Sequence, residues 1–166
     1  MGVCLGKSNL LSNSDNNVPL FDLKGNTYNA KVVDVYDGDT CSIVIILNNK
    51  LTKFKLRTVG YDTPEIKPPK NDANRDHIID MAIKSRNYFI SRVTNCTIIL
   101  DKHYSKNEIK ELLKSNKKII TVTSEGWDKY GRLLGNIFVN NININNEMIE
   151  KGYGNKYDGG TKSLFV

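Results

Sequence analysis

Three β-branched runs follow one another between residues 30 and 59, and they restrict the fold more than any other feature of the chain. AKVVDVY (30–36) and TCSIVIILN (40–48) are separated only by the turn-like Asp37-Gly38-Asp39, and Asn48-Asn49 then leads into LTKFKLRTV (51–59). Val, Ile and Thr suit a pleated, half-buried surface, and Asp-Gly and Asn-Asn pairs supply turns. In the third run Leu51, Phe54, Leu56 and Val59 lean apolar, while Lys53, Lys55 and Arg57 alternate onto the other face. The pattern predicts three meandering strands.

Downstream the period changes. Residues 72 to 94 carry Ile78, Ala82, Phe89 and Val93 in one row and Ile79, Ile83 and Ile90 in the next, a broad apolar stripe of helical spacing. CTIILD (96–101) reads as a fourth strand. Ser105 to Glu108 is a capping box ahead of Ile109, Leu112 and Leu113, so a short helix is expected there. KIITVT (118–123) and RLLGNIFV (132–139) read as further strands, and NNEMIEK (145–151) as a last helix stopped by Gly152 at C′. SNLLSNSDNNVPL (8–20) is Ser/Asn-rich and reads as a linker, which divides the chain into a flexible segment, 1–27, and a folded domain, 28–166. The expected class is mainly β with helices (β-rich α+β), a five-stranded OB-fold Greek-key barrel capped by helices.

The formal net charge is +6 and the pI about 9.1. Lys7, Lys24, Asp15 and Asp22 cancel within residues 1–27, so the excess lies on the remainder. A basic domain points to polyanion partners, nucleic acid or an anionic membrane face. Cys4, Cys41 and Cys96 lack CxxC spacing, which argues against a disulfide framework and a thiolate metal site and for a reducing, intracellular home. No run of about 18 apolar residues suggests a membrane span, and the apolar stretch at the N-terminus is too short for a secretory signal.

Three charged segments sit at turns beside strands: DGDT (37–40), RTVGYDTPE (57–65) and DKYGR (128–132). Clustered charges need a shared counter-ion or water. Asp39 and Asp62 are hard oxygen ligands, and Pro64 stiffens the backbone so that the Thr63 carbonyl can join them. Two carboxylates, a carbonyl and waters suit Ca²⁺ and not zinc. Arg57 and Arg132 offer planar forks for phosphate oxygens, and Glu65 can orient or deprotonate a water. Together these form a kit for phosphodiester hydrolysis. Taken singly they are bland: Asp37 and Asp39 as hairpin-turn residues, Glu65 and Arg57 as a surface pair worth about 0–1 kcal/mol. Trp127 reads as packing, and His77 and His103 have no assigned role.

The three segments, in this order, resemble the staphylococcal (micrococcal) nuclease family over roughly residues 29 to 157, and the Asn145…Met148-Ile149…Gly152-Tyr153 stretch resembles that family's later helix-to-turn element. The resemblance implies that Asp39, Asp62 and the Thr63 carbonyl hold Ca²⁺ and that Glu65 is the general base or positions the water. It implies that Arg57 and Arg132 neutralise the scissile phosphate, Arg132 near the leaving 5′ oxygen, and that Lys129 and Tyr130 contact a neighbouring phosphate. Tyr157 stands where a base-stacking tyrosine is expected. The family cleaves DNA and RNA with little sequence preference, favours single strands and leaves 3′-phosphates. Two departures stand out: residues 102 to 120 are longer than the family's usual link and add a helix that would border the groove, and the chain after Gly152 is shorter than the usual C-terminal helix.

MGVCLGKS opens the chain. Gly2 is the acceptor for N-myristoylation and Cys4 suits palmitoylation, although Gly6 replaces the preferred Ser or Thr. Two acyl chains would give a stable tether to the cytoplasmic face of a membrane. A catalytically silent nucleic-acid-binding module and a membrane-tethered protein-binding scaffold are the rival readings.

Overall fold

The computed structural model describes residues 5–160 and residue 165. Its strands are β1 (Thr27–Val35), β2 (Thr40–Leu47), β3 (Lys50–Thr58), β4 (Gly60–Asp62), β5 (Ile120–Trp127), β6 (Leu133–Val139), β7 (Ile142–Asn143) and β8 (Asn155–Tyr157). Four helices accompany them: α1 (Leu5–Ser12), α2 (Arg75–Val93), α3 (Lys106–Ser115) and α4 (Ile144–Glu150). Strands run β3-β2-β1-β5-β6 by antiparallel pairing, and a parallel β3–β6 contact closes the ring. The result is a closed five-stranded barrel with helices on its outside, the OB-like β-rich α+β class expected from the strand pattern. Closure removes the sheet edges that would otherwise expose unpaired backbone.

Asn48 and Asn49 set the register on which the site depends. Both adopt positive φ, 50° and 61°, a conformation Asn tolerates well and one that matches a two-residue hairpin. That turn pairs Leu47 with Lys50 and, at the far end of the ladder, Thr40 with Arg57. A one-residue slip would send every side chain of β3 to the opposite face.

Inside the barrel Val32, Ile43, Leu56, Val122, Leu133 and Ile137 are fully buried. Burial of such a side chain is worth about 1.5–3 kcal/mol. The α2 stripe is buried from Ala82 to Val93, while Ile78 and Ile79 remain half-buried near its start. α3 has both bonds of its capping box, Ser105 Oγ accepting from the Glu108 amide and the Glu108 carboxylate accepting from the Ser105 amide. It packs on β1 through Ile109 and Leu113. α4 ends in a Schellman turn: Gly152 has φ 74°, its amide donates to Ile149 O, and the Tyr153 amide donates to Met148 O.

Two expectations need correction. Residues 96–101 form no strand. Their β-branched character is strand-like, but the buried Asn87 side chain on α2 donates to the carbonyls of Ile99 (3.2 Å), Leu100 (2.9 Å) and Lys102 (2.8 Å). A side-chain amide thus satisfies backbone groups that a ladder would otherwise take. The segment read as a linker from residue 8 carries the second half of α1, whose residues 7–12 are exposed. The core begins at Leu23, which is buried just ahead of β1. Gly2 and Cys4 lie outside the described residues. No helix among the described residues is long and apolar enough to cross a membrane.

Candidate active site

The β2–β3 register delivers the first two charged segments to one place. Thr40 faces Arg57 across the ladder, so Asp39, one residue earlier, lies within reach of the guanidinium. Arg57 Nη1 is 2.8 Å from Asp39 Oδ1, and Arg57 Nη2 donates to Asp62 Oδ1 at 2.8 Å. Thr40 Oγ1 donates to the same Asp39 oxygen at 2.7 Å. Backbone tethers fix the turn: the Thr58 amide and hydroxyl both donate to Asp39 O, and the fully buried Tyr61 donates its hydroxyl to Gly38 O at 2.8 Å. Gly38 is required by close approach, because a Cβ there would lie 2.1 Å from Ser85 Oγ and 2.8 Å from Thr63 Cγ2.

The third segment arrives through barrel closure. β6 runs parallel to β3 with Leu133 opposite Leu56, which sets Arg132 at the mouth beside the first two segments. Asp128 folds this loop around itself: Oδ1 accepts from the amides of Tyr130 and Arg132, and Oδ2 accepts from Arg132 Nε at 2.6 Å. These donors hold Asp128 below its ordinary pKa although burial opposes it. The fourth piece is β8, which pairs with β4 so that Tyr157 opposes Gly60. The Tyr157 ring then lies 5.9 Å from the Arg57 guanidinium carbon.

Asp39, Arg57, Thr63, Glu65 and Arg132 line one cleft of about 420 Å³. Lys129, Tyr130 and Tyr157 line it too. Tyr130 is 72% exposed, with Lys129 Nζ and the Arg132 guanidinium 5.1 and 5.6 Å from its ring, within cation–π range. Asp62 sits just behind, buried, bonded to Arg57. Every site residue named from the sequence within the described region is therefore in or against this cleft. Trp127 lies away from it, its ring 5.7 Å from Phe54 and packed on the core.

Sequence reasoning passed over three residues. Asp37 reads from the sequence as a turn residue, yet it lines the cleft while accepting the Asp39 amide; the alternate spacing of Asp37 and Asp39 across one glycine is the available signal. Asp128 received no role, although its i to i+4 spacing to Arg132 marks it as a partner. Tyr36, 56% exposed, lines the cleft with no signal beyond an aromatic before a turn.

The acidic and hydroxyl side chains lining the cleft, Asp37, Asp39, Thr63 and Glu65, are hard oxygen donors, with Asp62 buried behind them. No three His, Cys, Asp or Glu side chains among the described residues form a ready-made metal cage, so such a site would be completed by backbone and water. Burial, then the neighbouring Asp39, pushes Asp37 up to about 8. Burial likewise raises Asp39 although Arg57 opposes it. Asp39 and Asp62 share the Arg57 guanidinium with Asp37 alongside, a buried acidic cluster that a hard divalent cation would favour in its ionised form.

The family model described as staphylococcal nuclease homologue matches residues 55–163. That span includes the second and third charged segments, and the β2–β3 hairpin carries Asp39 onto it. An uncharacterized protein of Methanocaldococcus jannaschii is 34% identical over 137 residues, which is 78% of this chain and 59% of that protein. The endonuclease YhcR of Bacillus subtilis is 31% identical over 133 residues, 78% of this chain but only 9% of the enzyme. The chain thus spans about three fifths of one relative and under a tenth of the other. With its family match covering residues 55–163 and its closed barrel placing all three charged segments around one cleft, the chain belongs to the staphylococcal nuclease homologue family.

Proposed function

We propose that this protein is a Ca²⁺-dependent endonuclease that hydrolyses phosphodiester bonds of DNA and RNA, favours single strands and leaves 3′-phosphate ends. The observation that carries the reading is the convergence of Glu65, Arg57 and Arg132 on one cleft floored by Asp39 and Thr63. Arg57 and Arg132 bind the scissile phosphate and offset the charge that builds on its oxygens. Glu65 takes a proton from the attacking water as the new P–O bond forms. The bond to the 5′ oxygen breaks, its electron pair leaves with that oxygen, and Arg132 offsets the charge there. Asp39, Asp62 and the Thr63 carbonyl would hold Ca²⁺, which when bound supplies Lewis-acid polarisation of a phosphoryl oxygen. Arg57 spends two of its five N–H donors on the two carboxylates, which leaves the others for a phosphate. Lys129 and Tyr130 contact the adjacent phosphate, and Tyr157 stacks on a base.

The residue roles are tested on denatured DNA. Glu65→Gln is expected to lose about 10²–10⁴-fold in rate, and Arg57→Lys or Arg132→Lys about 10²–10³-fold, each in a protein whose folding is verified by circular dichroism. A Glu65→Gln protein within tenfold of the parent would remove Glu65 from the chemistry. Tethering through acyl groups on Gly2 and Cys4 belongs to the same proposal and is checked by the intact mass of the protein made in eukaryotic cells.

A further inference from the structure

Two more cavities continue from the cleft, both built partly by the added helix. The first, about 390 Å³, shares Tyr36, Thr40 and Arg132 with the cleft and adds Lys55 from β3 and Lys106 from the first turn of α3. The second, about 260 Å³, continues past Tyr36 and Lys106 to Lys67 and Arg86. Asp34 is the acid along this path. Elsewhere Lys84, Lys102 and Lys114 are each paired with a carboxylate.

Arg86 is the telling residue. It is 8% exposed, and burying a guanidinium without a carboxylate is costly. Its hydrogen bonds go to the Tyr104 carbonyl and to Asn87 Oδ1, both neutral. Among the described residues it makes no ion pair, and burial alone lowers its pKa. A buried, uncompensated cation facing a basic cavity that opens from the cleft is built for an anion. The exposed Tyr36 ring, which lines all three spaces, offers a stacking surface for a base.

Resting on the nuclease reading of the cleft, we infer that the Lys55–Lys106–Arg86 trough is an extended subsite that binds the phosphates of a single strand running on from the scissile bond. The enzyme therefore selects for strand length: polynucleotide substrates engage the trough, whereas a dinucleotide fills only the cleft.

The test uses the full chain carrying Lys55→Gln and Lys106→Gln, with Lys110→Gln and Lys151→Gln as a control of equal charge change that lines none of these cavities. Binding of a fluorescent single-stranded 12-mer is followed by anisotropy in EGTA across a salt series, and kcat/KM is compared on the 12-mer and a dinucleotide in Ca²⁺. Each phosphate contact on a single strand contributes about 0.7 to the log–log salt slope. Losing two should lower the slope by about 1.4 and weaken 12-mer binding by about 25-fold at 0.1 M salt, while the dinucleotide and the control pair change less than twofold. An unchanged 12-mer slope, or equal losses for the control pair or the dinucleotide, overturns the trough. If no substrate is cleaved yet the 12-mer slope falls as expected, the strand path stands and the hydrolytic reading fails.

Discussion

The tightest contact beneath the cleft is at Gly38, and it yields a prediction with a worked magnitude. Adding a Cβ there meets Ser85 Oγ at 2.1 Å, Thr63 Cγ2 at 2.8 Å and Ser85 Cβ at 3.2 Å. Gly38 is not among the residues with positive φ, so the cost of Gly38→Ala is steric and not one of backbone strain. Overpacking of this kind costs about 1–3 kcal/mol, which for a chain of this size lowers Tm by about 2–12 °C. Ser85 is fully buried and its hydroxyl has no hydrogen-bond partner among the described residues, so Ser85→Ala alone should change stability by less than about 0.5 kcal/mol. Combining the two removes the closest clash and leaves the contacts with the Thr63 methyl at 2.8 Å and the residue-85 Cβ at 3.2 Å. The double variant should therefore recover about 1 kcal/mol or more relative to the sum of the singles. Urea denaturation of the four proteins at pH 7 in EGTA measures this coupling. The same series has a functional reading, since a shifted Gly38 carbonyl loosens the Tyr61 bond that holds Asp39 in place. Equal costs of Gly38→Ala in the two Ser85 backgrounds would refute the steric argument.

Other expectations follow from single contacts. Asp128→Asn retains the loop's amide bonds to Oδ1 but sets an NH2 donor against Arg132 Nε and so removes that charged bond, so stability should fall by about 1 kcal/mol while kcat/KM falls about 10–100-fold, as read by urea melts and initial rates. Asn87→Ala strips the donors from three carbonyls and should cost about 2–3 kcal/mol, with faster amide exchange confined first to residues 97–104. Glu147 is held below the ordinary carboxylate range by hydrogen bonds from Arg92 and then Tyr88. A depressed folded-state pKa stabilises above the unfolded value and loses that effect as pH falls through the folded value. Glu147→Gln should thus cost about 1–2 kcal/mol at pH 7, with the gap in Tm narrowing below about pH 4.3.

Much of the fold was legible because local signals agreed with one another. The Asn48-Asn49 turn, the Ser105–Glu108 capping box and the Gly152 stop each have a stereochemical cause contained within a few residues, and each is present. The charged segments were legible as chemistry, but not how they meet. That depends on the parallel β3–β6 closure and on β8 pairing with β4, both contacts between residues distant in sequence. Residues 96–101 show the opposite failure. Their β-branched side chains carry a true strand propensity, and a single buried asparagine on another element overrides it. The trough beside the cleft was invisible for the same reason: Lys55, Arg86 and Lys106 lie on three elements, and nothing in their spacing links them.

One digestion decides whether the cleft is a nuclease site. Purified protein is incubated with denatured DNA in Ca²⁺ and, separately, in EGTA, and the product ends are identified. Cleavage in Ca²⁺ alone, leaving 3′-phosphates, is the expected result. Equal cleavage in EGTA, or none from a folded protein in Ca²⁺, would contradict the reading of Asp39, Asp62 and Glu65 as the machinery of hydrolysis.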